Sequence, residues 1–295
     1  IYASNLAAVL RELGRREESV SCCLRALELH RAQGSRADEA IAHGNLATVQ
    51  RELGLLQEAE LSFRRALHIL RDHENRIMEG LFLVNMGNLL DDTGRTVHAI
   101  DCYEHAIMWF RRGGVRGQLG LALGNLGVAR KKLGRLDDGL AALTEAIQLL
   151  EAHKSLHFAG AFAALRGEFR LLLGDVDGAK ADLALAEKLL PVPNALVLHR
   201  RHVLPLRARL LAHEGKAPEL RALVDAFRAD VGNVAPASED GEELHRLTAL
   251  VEGLQAGTLF NGHTTSEMTR ELRRALVQRE GQPEPLRERL LAAGV

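Results

Sequence analysis

The feature that most constrains this chain is a segment that returns every 40 residues. It reads NLAAVLRELG from Asn5 to Gly14, NLATVQRELG from Asn45 to Gly54, NMGNLLDDTG from Asn85 to Gly94 and NLGVARKKLG from Asn125 to Gly134. A weaker copy ends in LLLG at Gly174, and a sixth ends at Gly215, after a spacing of 41. The phase also holds between copies, because Ala26, Ala66, Ala106, Ala146 and Ala186 each fall 12 residues after the glycine. A period of this length marks a chain that uses one supersecondary unit many times over.

Within each unit the apolar residues recur at three and four, the period of a helix with one buried stripe. In the second copy Leu46, Val49 and Leu53 line one helix, and Ala59, Phe63, Ala66, Leu67 and Leu70 line another. Gly54 stands between them and suits a left-handed helix C-cap, while Ala59 and Ala66 let the two helices approach closely. One such hairpin cannot bury its own stripe. Each must stack on the next, which predicts an all-α, right-handed α-α superhelix rather than a single-core globule.

The pattern of an apolar residue followed by a small one, then glycine, then alanine five and twelve residues on, resembles the tetratricopeptide repeat. That unit commonly has about 34 residues. The 40-residue period and the linkers GSRADEAIAHGN (Gly34 to Asn45) and GVRGQLGLALGN (Gly114 to Asn125) are similar to the longer variety of kinesin light chains and Leu-Gly-Asn scaffolds. The resemblance covers residues 1 to about 190, giving five hairpins, the first truncated at its N-terminus. In later copies the first helix begins near Ala37 or Gly117, so the equivalent stretch for Asn5 would precede Ile1, and the natural protein is expected to continue N-terminally.

Beyond Leu190 the pattern fades. PVPN (Pro191 to Asn194) breaks the helix, and Asn194 can N-cap a segment ending near His213. Residues Ala217 to Asp230 complete a degenerate sixth hairpin, with Pro218 in its first turn, so this part spans 191–230. A C-terminal helical cap is expected over 231–295: a loop from Gly232 to Gly241, a helix from Glu242 to Gln255, a loop from Gly257 to Thr265, and helices at Ser266 to Arg279 and Pro285 to Ala293. A solenoid end without a cap would expose its apolar face.

Composition excludes several classes of function. With 38 basic and 39 acidic side chains the formal net charge is −1, which supplies no field for a polyanion, and an aromatic content of 4% leaves few platforms for stacking bases. No nucleic-acid partner is expected. No apolar run reaches the length of a bilayer and no signal peptide opens the chain, so no membrane partner is expected either. Three cysteines, Cys22, Cys23 and Cys102, cannot make a disulfide framework and fit a reducing compartment, so the expected location is cytoplasmic.

No catalytic signature is present. The strings GNLG and RRGGVRG lack the preceding strand and GK[ST] ending of a phosphate loop. His98, Cys102 and His105 stand four and three apart, a helical spacing that could offer three zinc ligands. The repeat already accounts for that helix, with Cys102 at a packing position. His153 and His157 straddle a turn and have no glutamate in a zinc-protease arrangement, and adjacent Cys22 and Cys23 diverge by about 100° on a helix. The expectation is no enzyme, no cofactor and no metal.

The candidate site is a ladder of asparagines. Asn5, Asn45, Asn85 and Asn125 share one helical phase, and helical spacing groups them with Thr48 and Asn88, and with the charged Arg11 and Glu12, Arg51 and Glu52, Asp91 and Asp92, and Lys131 and Lys132. The family resemblance places this set on the concave face of the superhelix, where equivalent asparagines of kinesin light chains and Leu-Gly-Asn scaffolds hold a partner's backbone. A row of primary amides can donate to and accept from an extended peptide. The alternative is that each asparagine only bonds neighbouring helices. Leu165 takes the asparagine's place in the fifth copy, so the ladder ends there. Relatives that clamp a C-terminal carboxylate carry lysines on the first helix, whereas Ile41, Gly44, Leu81, Val84, Leu121 and Gly124 stand here. The mixture of Arg11, Arg51 and Lys131 with Asp91 and Asp92 suggests a ligand of mixed charge.

The resemblance implies a non-catalytic module that binds an extended or helical segment of a partner protein, with self-association possible. A second reading stays open. Similar Ala/Leu/Arg/Gly-rich arrays follow bacterial Ser/Thr kinases, cyclases and LuxR-type ATPase regulators, where they sense an effector or self-associate.

Overall fold

The computed structural model describes residues 2–191, 199–232, 238–257, 259–260 and 263–264. The chain forms two compact units, Ile1–Ala129 and Arg130–Val295. The first contains α1 (Tyr2–Glu12), α2 (Arg16–Ala32), α3 (Arg36–Glu52), α4 (Leu56–Asp72), α5 (Arg76–Asp92) and α6 (Thr96–Gly113). Helix α7 (Arg116–Lys132) runs from the first unit into the second. The second continues with α8 (Leu136–Ala152), α9 (Leu156–Leu172), α10 (Val176–Leu189), a π-helical turn (His199–Val203), α11 (Leu204–His213), α12 (Ala217–Val231) and α13 (Glu239–Ala256).

Each 40-residue copy is a helical hairpin, and the architecture is an all-α stack of such hairpins, as the repeat predicts. The turn within each hairpin forms because glycine takes a left-handed backbone there, with φ of 77° at Gly54 and 78° at Gly94. The Gly54 N–H donates to the Arg51 carbonyl at 3.0 Å and the Leu55 N–H to the Gln50 carbonyl at 2.9 Å, which closes the last turn of α3. The core is the stripe read from the sequence: Leu46, Val49, Ala59, Phe63, Ala66, Leu67 and Leu70 are buried, and Leu53 is half-buried. In the first unit α1 packs on α2 and α3, and α3 packs on α4 and α5.

Helix-interior glycines give room for rings, in one case from the next hairpin and in the other from the second helix of the same one. Gly44 lies under Phe82, and Gly87 lies under Tyr103. Both rings are buried, at 4% and 2% exposure.

The 41-residue spacing to Gly215 has a structural counterpart in the second unit. A π-helical turn carries one more residue than an α turn, and one stands at His199–Val203, directly ahead of α11. Beyond it, Arg209 of α11 donates to Glu168 of α9 at 3.0 Å.

Two expectations about the C-terminal part are adjusted. Helix α13 starts at Glu239 rather than Glu242, because the Ser238 hydroxyl accepts the Gly241 N–H at 3.1 Å and acts as its N-cap. The segment after Gly257, expected as a loop, contains a two-residue antiparallel pair, Leu259–Phe260 with His263–Thr264. The α12 helix begins at Ala217 with proline in its first turn, as expected. Asn194 and the helices at 266–279 and 285–293 lie outside the described residues.

Candidate functional site

Asn45, Asn85 and Asn125 sit at the same phase of α3, α5 and α7, and all three side chains are half-buried. Asn5 holds that register in α1. All four, with Thr48 and Asn88, belong to the first unit, whereas Lys131 belongs to the second. The half-buried Ile41, Leu81, Val84, Leu121 and Val128 fall at the neighbouring phases on α3, α5 and α7.

The amides differ in their partners. Asn125 Nδ2 donates to Asn88 Oδ1 at 3.0 Å, and the Tyr103 hydroxyl donates to the same oxygen at 2.8 Å. Asn88 therefore keeps its amino group as a donor and Asn125 keeps its carbonyl as an acceptor. Burial, helped by Asp91 and Asp92, pushes the Tyr103 hydroxyl far above its ordinary value, so it stays protonated. Asn45 and Asn85 have no side-chain hydrogen bond among the described residues. Thr48 donates back to the Gly44 carbonyl at 3.0 Å within its own helix.

The charged candidates are all engaged within the chain. Arg11 Nη1 donates to Glu52 Oε1 at 3.0 Å, and Arg51 Nη1 to Asp92 Oδ2 at 2.7 Å, each pair linking one hairpin to the next. Arg16 lies 3.5 Å from Glu52. Asp91 accepts the Thr96 hydroxyl at 2.9 Å. Lys131 donates to Glu168 at 3.2 Å and stands over the Phe169 ring. Sequence reasoning placed Glu52 and Asp92 on this face without pairing them to Arg11 and Arg51, and it missed Glu168. The signal was available: Glu52 and Asp92 each stand 41 residues beyond an arginine of the preceding copy.

His98 and His105 are exposed, and Cys102 is a half-buried thiol pushed up to about 11, chiefly by burial. Among the described residues no group of three His, Cys, Asp or Glu side chains could hold a metal ion. Nor is any described helix long and apolar enough to cross a membrane.

A family model of the tetratricopeptide repeat matches residues 1–72. Stacked hairpins of the same kind fill solved structures over the rest of the chain. A tetratricopeptide repeat protein from Parabacteroides merdae superposes with a TM-score of 0.58 at 17% identity, over 100% of this chain and 98% of that one. Residues 1–72 are tetratricopeptide repeats by that match, and the chain as a whole shares the fold of such repeats. Other similar TPR structures include a putative kinesin light chain with nearly identical TPR-like repeats from Podosopora anserina, at TM-score 0.53 and 14% identity over 64% of this chain and 93% of that one. PilF of Pseudomonas aeruginosa is similar at TM-score 0.57 and 18% identity, over 83% and 95%. At such identities the likeness is one of fold. No curated protein sequence matches the chain significantly. TPR domains in general act as protein–protein interaction modules and are typically non-catalytic.

Proposed function

We propose that the common face of α3, α5 and α7 binds an extended segment of a partner protein, with Asn45, Asn85 and Asn125 bonding to the partner's backbone. Asn5 stands in line with them on α1, and Thr48 and Asn88 flank them. The observation that carries this reading is the state of Asn45 and Asn85. Each is half-buried on an ordered helix, and neither spends its amide on a hydrogen bond within the described chain. A carboxamide serving only to tie helices together would be bonded to them, as Asn88 is bonded to Tyr103 and Asn125.

The energetic expectation is modest per contact. A hydrogen bond contributes about 1 kcal/mol net, so removing two should weaken binding about 10- to 30-fold. The test is the double variant Asn45→Ala/Asn85→Ala, measured against peptides selected from a displayed random library on the wild-type chain, with its melting temperature recorded alongside. Lost binding with an unchanged melt supports the reading. A lower melting temperature with intact binding would make the asparagines structural.

A further inference from the structure

The ladder explains how a backbone could be held but not which partner is chosen. Charge was the expected selector. In the first unit, however, the guanidiniums of Arg11, Arg16 and Arg51 stand against the carboxylates of Glu52 and Asp92, which end α3 and α5. Arg11 and Arg51 are hydrogen-bonded to acceptors on the following hairpin, and Asp91 accepts from Thr96. Opposite charges paired this closely cancel at a distance and leave little field to steer a charged ligand. A ligand charge that displaced one partner would leave the other unpaired, so the exchange gains little.

What remains on the face is apolar. Ile41 on α3, Leu81 and Val84 on α5, and Leu121 and Val128 on α7 are half-buried beside the carboxamides. An aliphatic side chain laid over them would complete a burial that the fold leaves unfinished, at roughly 25 cal/mol for each Å² covered. The spacing sets a register too. Helices α1 and α3, and α3 and α5, pack directly, and packed helices lie about 8–10 Å apart. An extended chain rising about 3.1 Å per residue with three residues per turn presents the same side once per such step.

We infer that the partner segment is uncharged and extended, with aliphatic side chains at about every third residue. This rests on the reading that the asparagine face is a peptide site, and it reverses the mixed charge expected from the sequence. The aliphatic row gives the selectivity. The ion pairs hold one hairpin to the next and keep charge out of the choice.

The experiment is a selection of displayed random 12-residue peptides on the full chain, with counter-selection on Asn45→Ala/Asn85→Ala. Peptides that depend on the asparagines should be enriched in Val, Leu and Ile at a three-residue spacing and depleted in both charge signs. Their affinity should change less than about 2-fold between 50 and 500 mM KCl, since few counterions are released. Leu81→Ser/Leu121→Ser should weaken them at least about 10-fold. Glu52→Ala/Asp92→Ala, which strips Arg11 and Arg51 of their partners, should shift the selection toward acidic peptides. Asparagine-dependent peptides rich in Asp, Glu, Lys or Arg on the wild-type chain would overturn the inference while leaving the binding site in place. If no selected peptide distinguishes the wild type from the asparagine variant, the site itself is wrong and the inference falls with it.

Discussion

Gly44 of α3 and Phe82 of α5 occupy complementary space: a Cβ on Gly44 would lie 2.0 Å from Phe82 Cζ. The ring is buried and leans on Phe63, with centroids 6.4 Å apart, so it cannot swing aside freely. Alanine is a better helix former than glycine by about 1 kcal/mol, yet forcing a methyl into a packed contact costs about 1–3 kcal/mol. Gly44→Ala should therefore lower stability in urea denaturation, and Phe82→Leu introduced with it should recover part of the loss. A more stable Gly44→Ala variant would mean the ring yields at no cost.

The turns between hairpins hold a second prediction. Gly34 and Gly114 take left-handed backbone there, with φ of 68° and 67°, but the equivalent residues Glu74 and Lys154 hold φ of 52° and 61° with a full side chain. A left-handed conformation costs a side-chain-bearing residue about 1–2 kcal/mol, partly offset by the greater unfolded-state freedom of glycine. Glu74→Gly and Lys154→Gly should each stabilise the chain by about 0.5–1 kcal/mol, read as a higher denaturation midpoint with an unchanged slope. A fall in the midpoint would show that those side chains stabilise the turn in some other way.

These two cases mark how far the sequence could be read. Hairpins, turn glycines and the buried stripe follow from apolar period and from Gly at fixed offsets, so Leu46, Phe63 and Gly54 stand where expected. The partners of charged residues were legible only as an offset: Arg51 and Asp92 stand 41 residues apart, but the pair joins different hairpins and needs their stacking to identify it. The extra residue before Gly215 was visible as a spacing, but only backbone geometry turns it into a π-helical turn. Ser238 as the α13 cap was legible in principle from a serine followed by Glu239 and Asp240, and the apolar period beginning later drew the boundary too far on.

In the second unit, Asp182 of α10 is buried at 1% exposure and binds two arginines of α9. Arg166 reaches both carboxylate oxygens, with Nε at 3.1 and 3.0 Å, and Arg170 Nη1 lies 3.1 Å from Oδ2. Removing one member of a buried ion cluster strands the others, which typically costs about 3–5 kcal/mol. Asp182→Ala should lose about that much in urea denaturation, and Asp182→Leu/Arg166→Met should lose less, because it strands only Arg170, the more exposed of the two arginines, which also lies 3.7 Å from Asp175. Equal losses in the two variants would mean that packing, rather than charge, carries the effect.

The junction of α2 and α3 should respond to acid through His43. Its ring is buried at 3% exposure; Nε2 accepts from Arg31 Nη2 at 3.2 Å, and the Glu39 carboxylate lies 3.8 Å from the same nitrogen. Burial, and next the positive charge of Arg31, push His43 down to about 4, whereas in an unfolded chain it titrates near 6.5. Between those values the unfolded chain binds the proton and the folded one does not. Stability from this group is thus complete above about pH 6.5 and declines as pH falls toward 4. Glu39 acts in the same direction at lower pH: burial opposes its charge, but hydrogen bonds from Arg31 and Arg36 hold it below the ordinary carboxylate value. Melting temperatures from pH 7.5 to 4.5 should therefore fall more steeply for the wild type than for His43→Gln, whose side chain does not titrate. Parallel curves for the two proteins would show that His43 has the same proton affinity folded and unfolded.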